Sequence, residues 1–144
     1  MRVQFSQRLP ATPEKVYATL LTPAVLQRCI EGCESLTQTG PDTYDAKLRV
    51  SGASMKGTVK LTSAIPAESL TLEIQGKGLP GSVKATVDVK LSPSGDQTAL
   101  LGVGEVTVGG FLVAVGSKLL ESGAQTMIAD FFAKLSDEIS TSGT

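Results

Sequence analysis

The sequence predicts an α+β domain: a curved antiparallel sheet of seven strands wrapped around one long C-terminal helix, with two short helices after the first strand. Three observations carry that expectation. Between Glu34 and Val108, polar and apolar residues alternate in segments separated by turn clusters. After Gly109-Gly110 the apolar spacing becomes that of a helix, and two proline-led helix starts follow the first strand. A chain of 144 residues suits one domain, expected over 1–140, with 141–144 a small polar tail that frays into solvent.

Each element has its own signal. Residues 2–9 put Val3, Phe5, Gln7 and Leu9 on one side and Arg2, Gln4, Ser6 and Arg8 on the other, as a half-buried strand does. Pro10 ends it. Thr12-Pro13-Glu14 reads as an N-cap, a first-turn proline and an acid favoured by the helix dipole, opening a short helix that buries Val16, Tyr17 and Leu20. Thr22-Pro23 repeats the signal for a second helix through Val25 and Leu26 towards Cys29, closing near Gly32. Six strands then form a meander. Its punctuation is Gly40-Pro41-Asp42, Ser51-Gly52-Ala53-Ser54, Pro66-Ala67-Glu68, Leu79-Pro80-Gly81 and Pro93-Ser94-Gly95-Asp96. Alternation is cleanest from Ser82 to Leu91, where Lys84, Thr86, Asp88 and Lys90 oppose Val83, Ala85, Val87 and Val89, so one face is wet and the other oily. Leu112, Val115, Leu119, Met127, Ile128, Phe131 and Leu135 mark one stripe of the long helix, which should run to about Ile139 and cover the oily face.

Composition excludes several function classes. Without histidine there is no Ser-His-Asp triad, no Cys-His pair and no imidazole ligand for a metal, which points away from an enzyme. Tryptophan is absent and aromatics are 4%, too few for the stacking platforms of single-strand binders, and a net charge of -1 gives no basic field, so no nucleic-acid partner is expected. Cys29 and Cys33 cannot support a disulfide framework. The N-terminus lacks a cleavable apolar leader, and no run approaches the roughly 18 apolar residues of a membrane span. These features together predict a soluble protein of the reduced cytoplasm.

The inward-facing residues carry the functional argument. With Glu105 and Thr107 facing water, the last strand turns Leu100, Gly102, Gly104, Val106 and Val108 inward, so two wall positions have no side chain. Gly116 and Gly123 thin the first half of the long helix, and Phe131-Phe132 thicken its second half. This uneven volume predicts a filled core at the far end and spare room near Leu112, Val115 and Leu119. The same glycines also suit a close approach of helix to sheet, and the residues alone leave both open. A chamber there would be lined by Tyr44, Leu48, Leu61, Leu72, Ile74, Val87, Gly102, Gly104, Val106, Leu112, Val115 and Leu119, with Tyr44 as the candidate buried hydroxyl. These rows hold almost no ionisable groups, which favours binding an apolar molecule over chemistry, without cofactor or metal.

Other constellations are weaker. The three-residue gap between Cys29 and Cys33 is not that of redox or zinc motifs, and no third ligand completes a site. Gly76-Lys77-Gly78 and Gly102-Val103-Gly104 do not open helices as phosphate loops do, and Gly109-Gly110 suits a chain reversal. Lys47, Arg49, Lys56 and Lys60 fall on outward faces, as a solvated surface or as a basic strip for an acidic protein or membrane.

Several segments resemble one family. These are Leu26-Gln27-Arg28-Cys29-Ile30-Glu31-Gly32-Cys33-Glu34-Ser35-Leu36, Gly40 with Tyr44-Asp45-Ala46, Lys56-Gly57, Val108-Gly109-Gly110, Gly116-Ser117-Lys118-Leu119 and Phe131-Phe132. In this order, over nearly the whole chain, they are similar to the G subunit of carbon monoxide dehydrogenase (CoxG), within the START-like, or SRPBCC, helix-grip superfamily. Glu31 departs from the proline many relatives carry. The resemblance implies an accessory protein to a molybdenum hydroxylase, linked to peripheral association with the inner face of the membrane and to carrying a quinone or similar lipid between helix and sheet. The leading expectation is therefore a non-catalytic carrier of a hydrophobic small molecule. The alternative is an assembly or membrane-docking factor for that enzyme with no ligand of its own.

Overall fold

The alternating segments become seven strands of a single sheet in a computed structural model that describes residues 1–50, 52–79 and 81–142, the side chains of Val50, Thr141 and Ser142 excepted. The order is β1 (Arg2–Leu9), α1 (Pro13–Leu20), α2 (Pro23–Cys29), β2 (Cys33–Gln38), β3 (Thr43–Val50), β4 (Ala53–Ile65), β5 (Ser69–Gly78), β6 (Gly81–Ser94), β7 (Gln97–Gly109), a 3-10 helix (Gly110–Val115) and α3 (Ser117–Ser142). Across the sheet the strands run β1-β7-β6-β5-β4-β3-β2, all antiparallel, so β1 closes on β7 and leaves β1 and β2 as edges. The architecture is the one predicted: an open antiparallel sheet, two short helices after the first strand and a long helix at the end.

Both short helices begin at the expected threonines, with a correction to how. Thr12 and Thr22 sit extended at the N-cap positions, but neither side chain caps. The Thr12 carbonyl accepts the Val16 N–H at 3.0 Å, while the Thr22 hydroxyl donates back to the Ala18 carbonyl at 2.8 Å.

The C-terminal segment needs a larger correction. It is not one helix from Gly110: a 3-10 helix ends at Gly116, whose φ of 90° favours a residue without Cβ, and α3 begins afresh at Ser117. The break shifts the helical phase. The inward stripe is Leu120, Ala124, Ile128, Phe131, Phe132, Leu135 and Ile139, whereas the expected stripe members Leu119 and Met127 are 69% and 51% exposed. α3 also runs past Ile139 to Ser142; of the polar tail expected at 141–144, Gly143 and Thr144 lie outside the described residues. Ser51 and Pro80, in two of the expected turns, lie outside them as well.

The core gathers at one end. Leu9, Ala11, Val16, Cys29, Leu70, Val89, Leu91, Leu100, Phe132, Leu135 and Ile139 form it, where the later part of α3 meets α1, α2 and the β1–β7–β6 side of the sheet. Thr98, fully buried among them, donates to the Ala11 carbonyl at 2.7 Å, so the polar group is satisfied. Helix side chains cover both sheet edges: Gln125 of α3 donates to the Gln4 carbonyl of β1, and Gln27 of α2 to the Glu34 carbonyl of β2, each at 3.0 Å.

Candidate ligand-binding site

Strand register assembles the inner face row by row. Tyr44, Val59, Ile74, Ala85 and Val106 lie side by side across β3, β4, β5, β6 and β7; Leu61, Leu72, Val87 and Gly104 form the row on one side. On the other side are Leu36, Ala46, Gly57, Gly76, Val83 and Val108, followed by Leu48 and Met55. Ala46, Gly57 and Gly76 are contiguous, so the floor at mid-sheet is nearly bare backbone. The inward stripe of α3 carries its smallest member, Ala124, between Leu120 and Ile128.

The twelve predicted lining residues separate into groups. Tyr44, Leu48, Leu72, Ile74, Val106 and Leu112 are half-buried yet are not among the side chains packed on the core cluster. Leu61 and Val87 are half-buried and do pack on it. Gly104 is buried with room for a Cβ, its nearest neighbours being Val87 Cγ2 at 3.6 Å and the Val3 carbonyl at 3.9 Å. Three expectations need correction. Gly102 offers no vacancy, because the Phe5 ring lies where its Cβ would be; that ring packs against Phe132, tilted by 39° with centroids 5.7 Å apart. Val115 and Leu119 are exposed, turned outward by the break at Gly116. Gly57, Gly76 and Ala124 are not among the twelve, although inward parity with no side chain is a readable signal for the two glycines.

The inner rows are electrostatically empty. Every described Asp and Arg is exposed, as is every Lys but Lys15 and every Glu but Glu138, and neither of those two lies on the sheet. Glu138 lies instead against Arg28, with Nε and Nη2 donating to its two carboxylate oxygens at 2.6 and 3.1 Å. That pair holds the Glu138 carboxyl below its ordinary value and the guanidinium above its own. Both cysteines are free thiols, Cys29 buried and Cys33 half-buried, and burial pushes each thiol up. Among the described residues no cluster of Cys, Asp or Glu could hold a metal ion, and no helix is long and apolar enough to cross a membrane.

Recesses of two kinds are found among the described residues. One, of about 300 Å³, opens where the end of β7 meets the 3-10 helix and α3, lined by Met1, Val106, Thr107, Val108, Val113, Ser117 and Leu120. It adjoins the Tyr44–Val106 row at Val106. Large apolar side chains stand exposed around this end: Leu79 at 80%, Phe111 at 79% and Val113 at 62%. The β5–β6 tip touches the start of the 3-10 helix there, since a Cβ on Gly110 would lie 2.9 Å from the Gly81 Cα. The other recess is a broad trough of about 790 Å³, lined by polar-face side chains such as Lys47, Lys56, Thr58, Gln75 and Lys77 and, through the thin mid-sheet, by Ala46, Gly57, Gly76 and Val83.

No curated protein matches the chain in sequence. Among solved structures, a conserved protein from Geobacillus kaustophilus is 32% identical, with a TM-score of 0.95 over 99% of this chain and 97% of that one. A START superfamily protein from Mycobacterium smegmatis is 13% identical, with a TM-score of 0.83 over 97% of each chain, and therefore shares the fold. A protein from Thermus thermophilus covers 100% of both chains at 15% identity and a TM-score of 0.74. The family model for the G subunit of carbon monoxide dehydrogenase matches residues 6–140, nearly the whole of this sheet-and-helix domain, and the chain belongs to the CoxG family.

Proposed function

We propose that this protein is a non-catalytic carrier of a hydrophobic small molecule, a quinone or similar lipid, held between α3 and the inner face of the sheet. It serves as accessory to a molybdenum hydroxylase of the carbon monoxide dehydrogenase type. One observation carries the reading: half-buried apolar side chains outside the core, around a floor of Ala46, Gly57 and Gly76. Burying apolar ligand surface against them is worth roughly 25 cal/mol per Å² before the costs of association, so a ring or chain of a few hundred Å² needs no charged contact. The Tyr44 hydroxyl supplies an orienting polar group. Among the described residues no carboxylate or ammonium group faces inward, which supports carriage over turnover. The exposed Leu79, Phe111 and Val113 around the smaller recess support loading from a lipid surface at that end.

The test is native mass spectrometry and organic extraction of protein purified without detergent, followed by titration with decylubiquinone. Ala124→Trp adds bulk on the inward side of α3 and should weaken decylubiquinone binding about tenfold or more while the thermal melt stays cooperative. Repeated purification without lipid, together with no saturable binding of the quinone, would reject the reading.

A further inference from the structure

The polar face of the sheet carries an arrangement that the carrier reading does not use. Register places Lys47 of β3 directly opposite Lys56 of β4, and Lys56 directly opposite Lys77 of β5. Like charges at directly opposed sheet positions are destabilising. Elsewhere on this face the chain avoids that cost: Lys60 lies opposite Glu73 and Arg2 opposite Glu105, the latter pair at 3.6 Å. The three lysines are exposed, and among the described residues none has a carboxylate within ion-pair distance.

The row lies in the trough of about 790 Å³, which Lys84 of β6 also lines; Asp45 is its one carboxylate. Hydroxyl and amide groups of Ser35, Thr58, Gln75 and Ser82 supply further donors. With strands about 4.8 Å apart, Lys47 to Lys77 spans roughly 10 Å, the reach of two or three acidic residues in a peptide. The shape selects among anionic partners. A trough does not lie flat on a bilayer, and no aromatic side chain lines it for a base to stack upon.

We infer that this trough is a docking groove for an acidic polypeptide segment of a partner protein, with Lys56 at its centre. The lysine side chains lie on the face opposite the proposed chamber, and the two sites share only the thin backbone of Ala46, Gly57 and Gly76. Partner recognition and ligand carriage therefore occupy opposite faces of one sheet.

The test is fluorescence anisotropy with a fluorescein-labelled deca-glutamate peptide, at low and physiological salt, on the full chain. Binding should be saturable and salt-sensitive, and Lys56→Glu should weaken it about tenfold or more. Lys134→Glu on α3, an identical change in net charge, and Ala124→Trp in the chamber should leave it within about twofold. Lys56→Glu should also raise the melting temperature, because it converts two repulsions into attractions. Equal loss in Lys56→Glu and Lys134→Glu would reduce the effect to net charge and overturn the inference, as would no saturable binding. Tighter, Lys56-dependent binding to phosphatidylglycerol vesicles or to inorganic phosphate would assign the groove to a different anion and overturn it as well.

Discussion

Thr98 shows how individual residues divide the work in this protein. Its hydroxyl is buried in the core and reaches the Ala11 carbonyl at 2.7 Å, so Thr98→Val keeps the shape and removes the donor. Urea denaturation should register a loss of about 1–2 kcal/mol. Two inward glycines that look alike in sequence should behave differently. A Cβ on Gly57 would stand 2.9 Å from the Gln75 carbonyl, whereas one on Gly76 would meet only Met55 Cε at 3.7 Å and the Lys56 carbonyl at 3.8 Å. Gly57→Ala should lower the melting temperature and Gly76→Ala should leave the fold intact. Glu138 gives a pH dependence of definite sign. Arg28 depresses its carboxyl in the folded state, so its stabilisation is complete above the ordinary carboxylate value and is lost as pH falls through the depressed one. Thermal melts of wild type and Glu138→Gln should differ at neutral pH and converge in acid. None of these three roles could be read from the chain alone, because each depends on a partner far away in sequence.

At the scale of elements, the strands were legible and the last helix only in part. Period-two alternation sets inward and outward faces locally, so β1, the meander and the residues pointing inward follow from the sequence. The phase of α3 does not, because the turn at Gly116 resets it and exposes Leu119 where an unbroken helix would bury it. The two glycines of this region therefore have opposite roles. Gly123 is mid-helix with nothing within 4 Å of an added Cβ, so Gly123→Ala should stabilise by about 0.5–1 kcal/mol. Gly116→Ala forces a side chain onto a φ of 90° and should destabilise by a similar amount or more, both readable by denaturant titration. Leu79 after β5 and Phe111 and Val113 of the 3-10 helix are exposed apolar side chains. If they meet lipid, Phe111→Ser with Leu79→Ser should cut co-sedimentation with vesicles while leaving the melting temperature near wild type, since both side chains are about four-fifths exposed.

Across the whole molecule, an inner face free of charge was visible in the sequence, but its filling was not. Whether Gly102 faced a void depended on Phe5, a strand neighbour brought in from the opposite end of the chain. Likewise, the outward lysines of β3 and β4 were evident, while Lys77 joined their row only through the register of β5. The lopsided core has a consequence for motion. Side chains interlock tightly around Leu9, Leu100 and Leu135, whereas β3 and the early part of β4 contribute little to that cluster. Amide protons should thus exchange with solvent slowly in β1, in β7 and in the later turns of α3, and orders of magnitude faster near Ala46 and Gly57. A domain that breathes at one end while the other stays shut would let the proposed guest molecule come and go without the protein ever unfolding.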